Sequence, residues 1–438
     1  MKVVGIVAEY HPFHAGHLYQ ISYARETLGA DFVVAVMSGD FVQRGTPACL
    51  PKHLRAEMAL RCGVDLVVEI PVQSSSASAE FFARGGMSLL NGLGAMNQLC
   101  FGSESGDIEQ MMTAAKILND EPEGFQKALK THLKNGMSFP AARNRALMEY
   151  TAGQNIFRQT ANCPHTVSTE NLLTSPNNIL GVEYCRAILD MGSSMEPVTL
   201  KRQGSDYHSR ELNAGQMPSA SAIRDFLQQI MEVSDIHSLS HLKNQNNTIE
   251  ATILTELKTA IPAPALSLLA KAFASGKFLT EADLDIPLQY CLWNESTETL
   301  VQYADMSPEL AARIIRRRRD FRSFSQFSEL LKTKELTRAR IRRALLHTFL
   351  HIMETPRELP YARVLGFRKS AAPLLREIKK RGHIPLLTKL ADAEALLSPE
   401  ASRILEGNTR ASNIYESLLC RKSGKSFRHE YEKPLIIL

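Results

Sequence analysis

Residues 3–18 read VVGIVAEYHPFHAGHL. Val3–Val7 is a continuous apolar run, the pattern of a strand buried on both faces. It stops at a polar turn, and His14-Ala15-Gly16-His17 then opens a helical pattern. A strand that feeds a helix N-terminus through such a turn is a nucleotide-binding arrangement. The first helical amides lack intrahelical partners and point at whatever sits in the mouth. Gly16 has no Cβ, so a base or a phosphate can approach the backbone. His14 and His17 share one face of a helical turn and can donate hydrogen bonds to a phosphoryl oxygen as charge develops. Two other readings stand beside this one. The histidines could be ordinary polar residues at a helix start. With His11 they could form a metal triad at i, i+3 and i+6, but that spacing is poor for one helical face and no nearby cysteine supports it, so no metal site is expected.

Outward from this turn, the first hundred residues alternate strand and helix. Leu18–Leu28 reads as a helix closed by Gly29, Asp31–Met37 as a second buried strand, and His53–Arg61 as a helix ended by Gly63. Asp65–Ile70 reads as a third strand, Ala77–Leu93 as a helix and Gln98–Phe101 as a fourth strand. Repeated βαβ units with short connections imply an α/β fold, a Rossmann-like doubly wound parallel sheet. Ligands in such sheets bind outside the carboxyl ends of the strands, here Glu9–His17, Ser38–Arg44, Pro71–Ser76 and Gly102–Glu104. Gly106–Gln154 reads as mainly helical, Val198–Leu200 as a late strand, and Pro218–Leu227 as a capped helix start. Beyond about residue 230 the strand signal fades, and the polar stretch 237–248 marks a boundary. The expected division is a catalytic domain over 1–230 and a helix-rich, basic region over 231–438. A small late α/β portion is expected at Arg363–Gly366, Leu374–Arg381 and Ile384–Leu387.

The chain of 438 residues is 44% hydrophobic and 22% charged, which is ordinary for a globular protein with two or three cores. No apolar run reaches the roughly 18 residues of a spanning helix. The N-terminus lacks a basic n-region and a small-residue cleavage site, so no secretory signal is expected. Cysteines 49, 62, 100, 163, 185, 291 and 420 are scattered with no CxxC, which fits reduced thiols in a cytoplasm. The net charge is +5. Pro308–Leu350 alone carries 12 Lys/Arg against 4 Asp/Glu. That local excess is the footprint of a polyanion partner, unless it is only a solvated helix face.

Other stretches carry chemistry. In Ser38–Gly45, SGDFVQRG, Asp40 could hold an attacking amine or a magnesium-bound water, and Arg44 could counter phosphate charge; an ordinary βα turn is the plain alternative. Ser175–Gly181, SPNNILG, starts a helix with asparagines that cap it or read a base edge. Lys201-Arg202 follows a strand end, where cations suit a triphosphate. Ser219–Arg224, SASAIR, offers hydroxyls and free amides at a helix start with Arg224 one turn on.

The stretches EYHPFHAGH, MSGDFVQRGTPA, RAEMAL, GVDLVVEIP, SAEFFARG, LCFGSE, SPNNILGVEY and SASAIR together resemble the tRNA(Met) cytidine acetate ligase family of the HIGH-type nucleotidyltransferase superfamily. Weaker resemblance continues through KTKELTRARIRRALLH (332–347) and YARVLGF (361–367). The resemblance implies a cytoplasmic enzyme that uses ATP to activate acetate as acetyl-adenylate. It then acetylates N4 of the wobble cytidine of elongator tRNA(Met), with Mg2+ as the expected companion of ATP. It puts the ATP-binding stretch on Val7, Ala8, Glu9, Tyr10, His11, Pro12, Phe13, His14, Ala15, Gly16, His17, Leu18, Tyr19 and Gln20. Further contacts are implied at Gly102, Asn177, Asn178 and Arg202, and the SASAIR cradle adds Arg224. The expected catalytic residues are His14, His17 and Asp40, with Asp40 orienting the cytidine amine. The family pattern often has Asn where this chain has Asp40, and an apolar residue where it has Gln203. Two other functions share parts of these motifs. One is a nucleotidyltransferase acting on a small phosphorylated cofactor precursor. The other is a non-catalytic tRNA-binding protein with a relic nucleotide site.

Overall fold

The apolar runs of the first half become strands. A computed structural model describes residues 1–154, 172–202, 219–233 and 242–438, so Cys163 and Gln203 lie outside the described residues. In chain order the strands are β1 (Val3–Ala8), β2 (Phe32–Ser38), the short hairpin β3 (Phe41–Val42) and β4 (Thr46–Pro47), β5 (Leu66–Ile70), β6 (Gln98–Ser103) and β7 (Glu196–Lys201). The C-terminal region adds β8 (Ala362–Phe367), β9 (Leu386–Leu387) and β10 (Ile436–Ile437).

Eight of these form one sheet in the order β10-β8-β5-β2-β1-β6-β7, with β9 also paired to β8. The pairs on β1, β2, β6 and β7 are parallel, as the βαβ pattern predicts. β8 departs from the expected parallel sheet. It runs antiparallel to β5, with an irregularity between Val67 and Val68. A βα crossover forces parallel pairing with its neighbour, whereas β8 reaches the sheet only after a long helical excursion and is free of that rule. The segments 1–230 and 231–438 therefore meet in one sheet.

Alternation along the strands sends side chains to opposite faces. Val34, Val36, Val68 and Leu99 pack under the helices Ala79–Gly92 and Pro176–Asp190. Val4, Ile6, Val33, Ala35 and Val67 pack under Lys52–Arg61 and Ala263–Ala274. A third core joins Leu288, Ile314, Phe324, Phe327, Leu345 and Tyr415 of the helical region to Phe41 of the hairpin.

An ionic cluster sits between the segments. Lys52 is fully buried, with Nζ 2.6 Å from Glu69, 2.9 Å from Glu430 and 3.5 Å from Asp40. Arg363 of β8 bridges the same acids, at 2.9 Å from Glu69 and 2.6 Å from Glu430. Burial alone would raise the Glu430 carboxyl, but Lys52, His53 and Arg363 hold it well below the usual carboxylate range. Among the described residues no helix is long and apolar enough to cross a membrane.

Candidate nucleotide-binding site

The chain leaves β1 toward β2 on one side, and after β5 it crosses back to place β6 on the other side of β1, so the strand order reverses there. Ligands of open α/β sheets bind in the crevice at such a switch point. A cavity of about 640 Å³ opens there. The ends of β1 and β6 form its floor. Its walls include the first turns of four helices: Ala15–Glu26, Pro176–Asp190, Ala220–Val233 and Arg338–Leu350. Each such turn presents the positive end of a helix dipole. Among the described residues the lining holds six arginines, Arg44, Arg202, Arg224, Arg338, Arg342 and Arg343, and one acid, Glu9. That balance selects a polyanion.

His14 and His17 build the floor turn. The His14 ring caps the helix: its Nδ1 accepts from Gly16 N at 3.0 Å. The His17 Nδ1 accepts from His14 N at 3.1 Å, which completes a reciprocal capping box. This cap starts the helix at Ala15, ahead of the expected Leu18. The two rings lie 3.8 Å apart between centroids. Burial first, then Arg202 and Arg224, pushes the His14 pKa down to about 3. His17 is also held well below its usual value, by burial and then by His14 and Arg202. Both rings are therefore neutral at pH 7. With each Nδ1 accepting, the ring proton sits on Nε2. The pair is thus two N–H donors at the cavity, with no positive charge of their own. A Cβ at Gly16 would lie 2.9 Å from His14 Cε1, so only glycine lets this ring fold back onto the turn.

The remaining expected residues divide into those on the cavity wall and those behind it. Val7, Ala8, Glu9, Tyr10, His11, Tyr19, Gln20, Gly102, Asn177, Arg202 and Arg224 line the cavity with the two histidines and Gly16. His11 is tied into the fold: its Nδ1 accepts from Cys49 N at 2.9 Å, and its carbonyl accepts from Arg224 at 2.6 Å. Arg224 also donates to Ser221 Oγ at 3.0 Å, while Ser219 Oγ caps Ala222 N at 3.1 Å. Arg202 N donates to Ser103 O at 2.9 Å, which fixes the guanidinium stem at the end of β7. Pro12, Phe13, Ala15 and Leu18 are not on the lining.

Asn178 is also absent from the lining. Its Oδ1 accepts from Glu104 N at 2.9 Å and Ser105 N at 3.1 Å, and the Glu104 carboxylate accepts from Asn178 N at 2.9 Å. It locks the end of β6 onto the helix Pro176–Asp190. Asp40 is not brought to the cavity either. It is 6% exposed, and its carboxylate accepts from Lys52 N at 3.0 Å and faces Lys52 Nζ. The polar turn at a strand end suggested a reacting group; the partner twelve residues later spends the carboxylate inside the fold.

The helix Arg338–Leu350 was expected as part of a distant basic surface, yet Arg338, Ala339, Arg342 and Arg343 line the cavity. Gly45 seats it. This residue has φ +73°, and a Cβ there would lie 2.6 Å from the backbone of Arg342 and Arg343. Arg342 pairs with Glu281, and Arg343 holds Asp305 at 2.8 Å. The apolar wall of Phe82, Phe101, Ile179, Leu180 and Tyr184 was also missed, because its residues read as ordinary core in sequence.

The chain matches the family described as HIGH Nucleotidyl Transferase over residues 1–430. It is 34% identical to an Acetivibrio thermocellus protein named tRNA(Met) cytidine acetate ligase, with 100% of both chains covered. It is 37% identical to a Clostridium novyi protein of the same name, over 89% of this chain and 90% of the other. Among solved structures it superposes on apo Thermotoga maritima TmcAL (form I) with a TM-score of 0.87, 29% identity and 100% of each chain covered. It superposes on the same protein bound with alpha-thio ATP with a TM-score of 0.84, at the same identity and coverage.

Proposed function

Because this chain belongs to the HIGH nucleotidyl transferase family, and within it to the tRNA(Met) cytidine acetate ligases, we propose that it activates acetate with ATP and acetylates N4 of the wobble cytidine of elongator tRNA(Met). That role places it in the cytoplasm with its tRNA. The observation that carries the reading is the neutral His14–His17 donor pair in a cavity where, among the described residues, four helix starts and six arginines face a single carboxylate.

Acetate is a poor acyl donor because its leaving group would be oxide. Attack of its carboxylate oxygen on the α-phosphorus of ATP forms a mixed anhydride and breaks the bond to the β-phosphate, releasing pyrophosphate. No covalent enzyme nucleophile is needed; positioning and charge stabilisation suffice. The Nε2–H groups of His14 and His17 donate to the oxygens on which charge grows. Arg44, Arg202 and Arg224 hold the triphosphate and then the pyrophosphate, where planar guanidiniums can bind bidentately. The backbone around Gly16 and Gly102, with Asn177, lies against adenosine. A Cβ at Gly102 would meet Arg202 Cγ at 3.5 Å and Leu200 O at 3.9 Å, ordinary contacts that leave room there for a ligand.

The N4 amine then attacks the acetyl carbonyl, AMP leaves and the nitrogen loses a proton. A wobble base already lies in a loop, so extruding it costs little. Asp40 acts through the Ser38–Gly45 turn that carries Arg44, not by contact with the amine. No group of three or more His, Cys, Asp or Glu among the described residues could hold a metal ion. Magnesium would therefore arrive on the triphosphate oxygens, with Glu9 the one carboxylate on the lining among the described residues.

The test is nucleoside mass spectrometry of tRNA incubated with protein, ATP and isotopically labelled acetate, alongside pyrophosphate release. Labelled N4-acetylcytidine is the expected product. Pyrophosphate release that ignores acetate, with unmodified tRNA, would remove the assignment.

A further inference from the structure

The chain has one tryptophan, Trp293, and it is 48% exposed. It ends the helix Asp285–Trp293, where Ile286 is 64% exposed and Tyr290 74% exposed. Spacings of four and three put these side chains in one stripe. Leu288 and Leu292 of the same helix are buried, so the helix already has its core face. The stripe is a second apolar face turned outward.

The charge beside it is positive and largely uncompensated. The Arg318 guanidinium lies 4.9 Å from the Trp293 ring centroid and donates to Glu295 O at 3.1 Å. Arg316, Arg319 and Arg322 are exposed. Nearby acids are engaged elsewhere. Asp285 accepts from Phe324 N at 2.7 Å, Glu295 from the Tyr303 hydroxyl at 2.9 Å, and Asp320 pairs with Arg317 at 3.2 Å. Among the described residues no ion pair holds Arg316, Arg319 or Arg322. Exposed aromatic faces among free guanidiniums suit single-stranded RNA, whose bases stack and whose phosphates pair with arginine.

We propose that Ile286, Tyr290 and Trp293 form a stacking platform for an unpaired base of the tRNA, with Arg316, Arg319 and Arg322 on the adjoining phosphates. The proposal rests on the tRNA-substrate reading above. The platform is joined to the catalytic cavity by one helix: Cys291 Sγ contacts Thr348 O at 3.8 Å, and Arg338 of that same helix lines the cavity. Ten helical residues separate the two points, about 15 Å.

The lone tryptophan supplies the readout. Titrating the full-length protein with tRNA should quench its fluorescence, and an RNA duplex without unpaired bases should not. Tyr290→Ala should weaken tRNA binding by about 10-fold or more, and Tyr290→Phe should keep it. Both variants should release pyrophosphate from ATP and acetate at the wild-type rate, which also shows that they fold. Equal quenching by the duplex, or normal tRNA affinity in Tyr290→Ala, overturns the platform. So does sedimentation showing that the stripe mediates a dimer which Tyr290→Ala dissociates. Wild-type protein that fails to acetylate tRNA would instead sink the substrate reading, since the platform is judged by quenching and affinity alone.

Discussion

His14 uses its two ring nitrogens for different ends, and one substitution can separate them. Nδ1 caps the helix through Gly16 N, and Nε2 is the nitrogen left for the ligand. In His14→Asn the carboxamide oxygen can replace Nδ1, because asparagine is among the best N-caps. The shorter side chain cannot place a donor where Nε2–H stands. Loss of one preorganised donor to a developing oxyanion costs roughly 100- to 1,000-fold, about 2.7–4 kcal/mol. Pyrophosphate release from ATP and acetate should therefore fall by about 100-fold or more in His14→Asn, with unfolding free energy within about 0.5 kcal/mol of wild type. His14→Ala should lose as much activity and in addition about 1 kcal/mol of stability, the worth of the cap. The loss should lie in kcat, measured at saturating ATP, with urea unfolding run in parallel. Turnover in His14→Asn within about threefold of wild type would refute the donor role.

Three further outcomes test the framework. His14 is held down to about 3 by burial and the neighbouring arginines, and His11 and His17 are lowered too. The unfolded chain takes up protons at these histidines below about pH 6.5 while the folded chain does not, so stability should fall as pH drops from about 6.5 toward 3; a flat melting midpoint across that window would contradict it. Gly45→Ala should strain a backbone at φ +73° by about 1–2 kcal/mol and displace the Arg338–Leu350 helix. ATP affinity should drop although Gly45 is not on the cavity lining, and an unchanged titration would remove that helix from the site. Lys52→Met leaves Asp40, Glu69 and Glu430 short of a buried cation and should cost about 3–5 kcal/mol in denaturant unfolding; a loss under about 1 kcal/mol would mean that the cluster adds little.

Much of the fold was legible because apolar runs and turn glycines are local signals. VVGIVA, FVVAVMS and LVVEI could be little but buried strands, and short βα links left one topology for them. The direction of β8 was not legible: ARVLGF says buried strand, but nothing in an apolar run says which way it points. The same limit divides the site. The histidine pair and Gly16 lie within one turn, so their spacing carries their geometry. Asp40 read as a reacting group because its partner Lys52 stands in the next helix, and the acids that share that lysine, Glu69 and Glu430, come near it only once the sheet forms. The arginines of 308–350 read as one basic surface because spacing tells which residues share a face, not what the face meets. Arg343 proved to be paired with Asp305 and turned to the cavity, while Arg316 and Arg319 stayed in solvent.

The order of manufacture acquires meaning from the ionic cluster. Lys52, Asp40 and Glu69 emerge early from the ribosome, while Glu430 and β10 emerge more than three hundred and fifty residues later. Contacts of such long range form slowly, and only after both partners exist. Until then the buried cations Lys52 and Arg363 lack one of the two acids they share. A nascent chain can thus carry every described residue of the cavity lining, which ends at Arg343, before the acid and the strand that complete the sheet beneath it exist. The sheet and its ionic cluster are completed last, by residues 430–437.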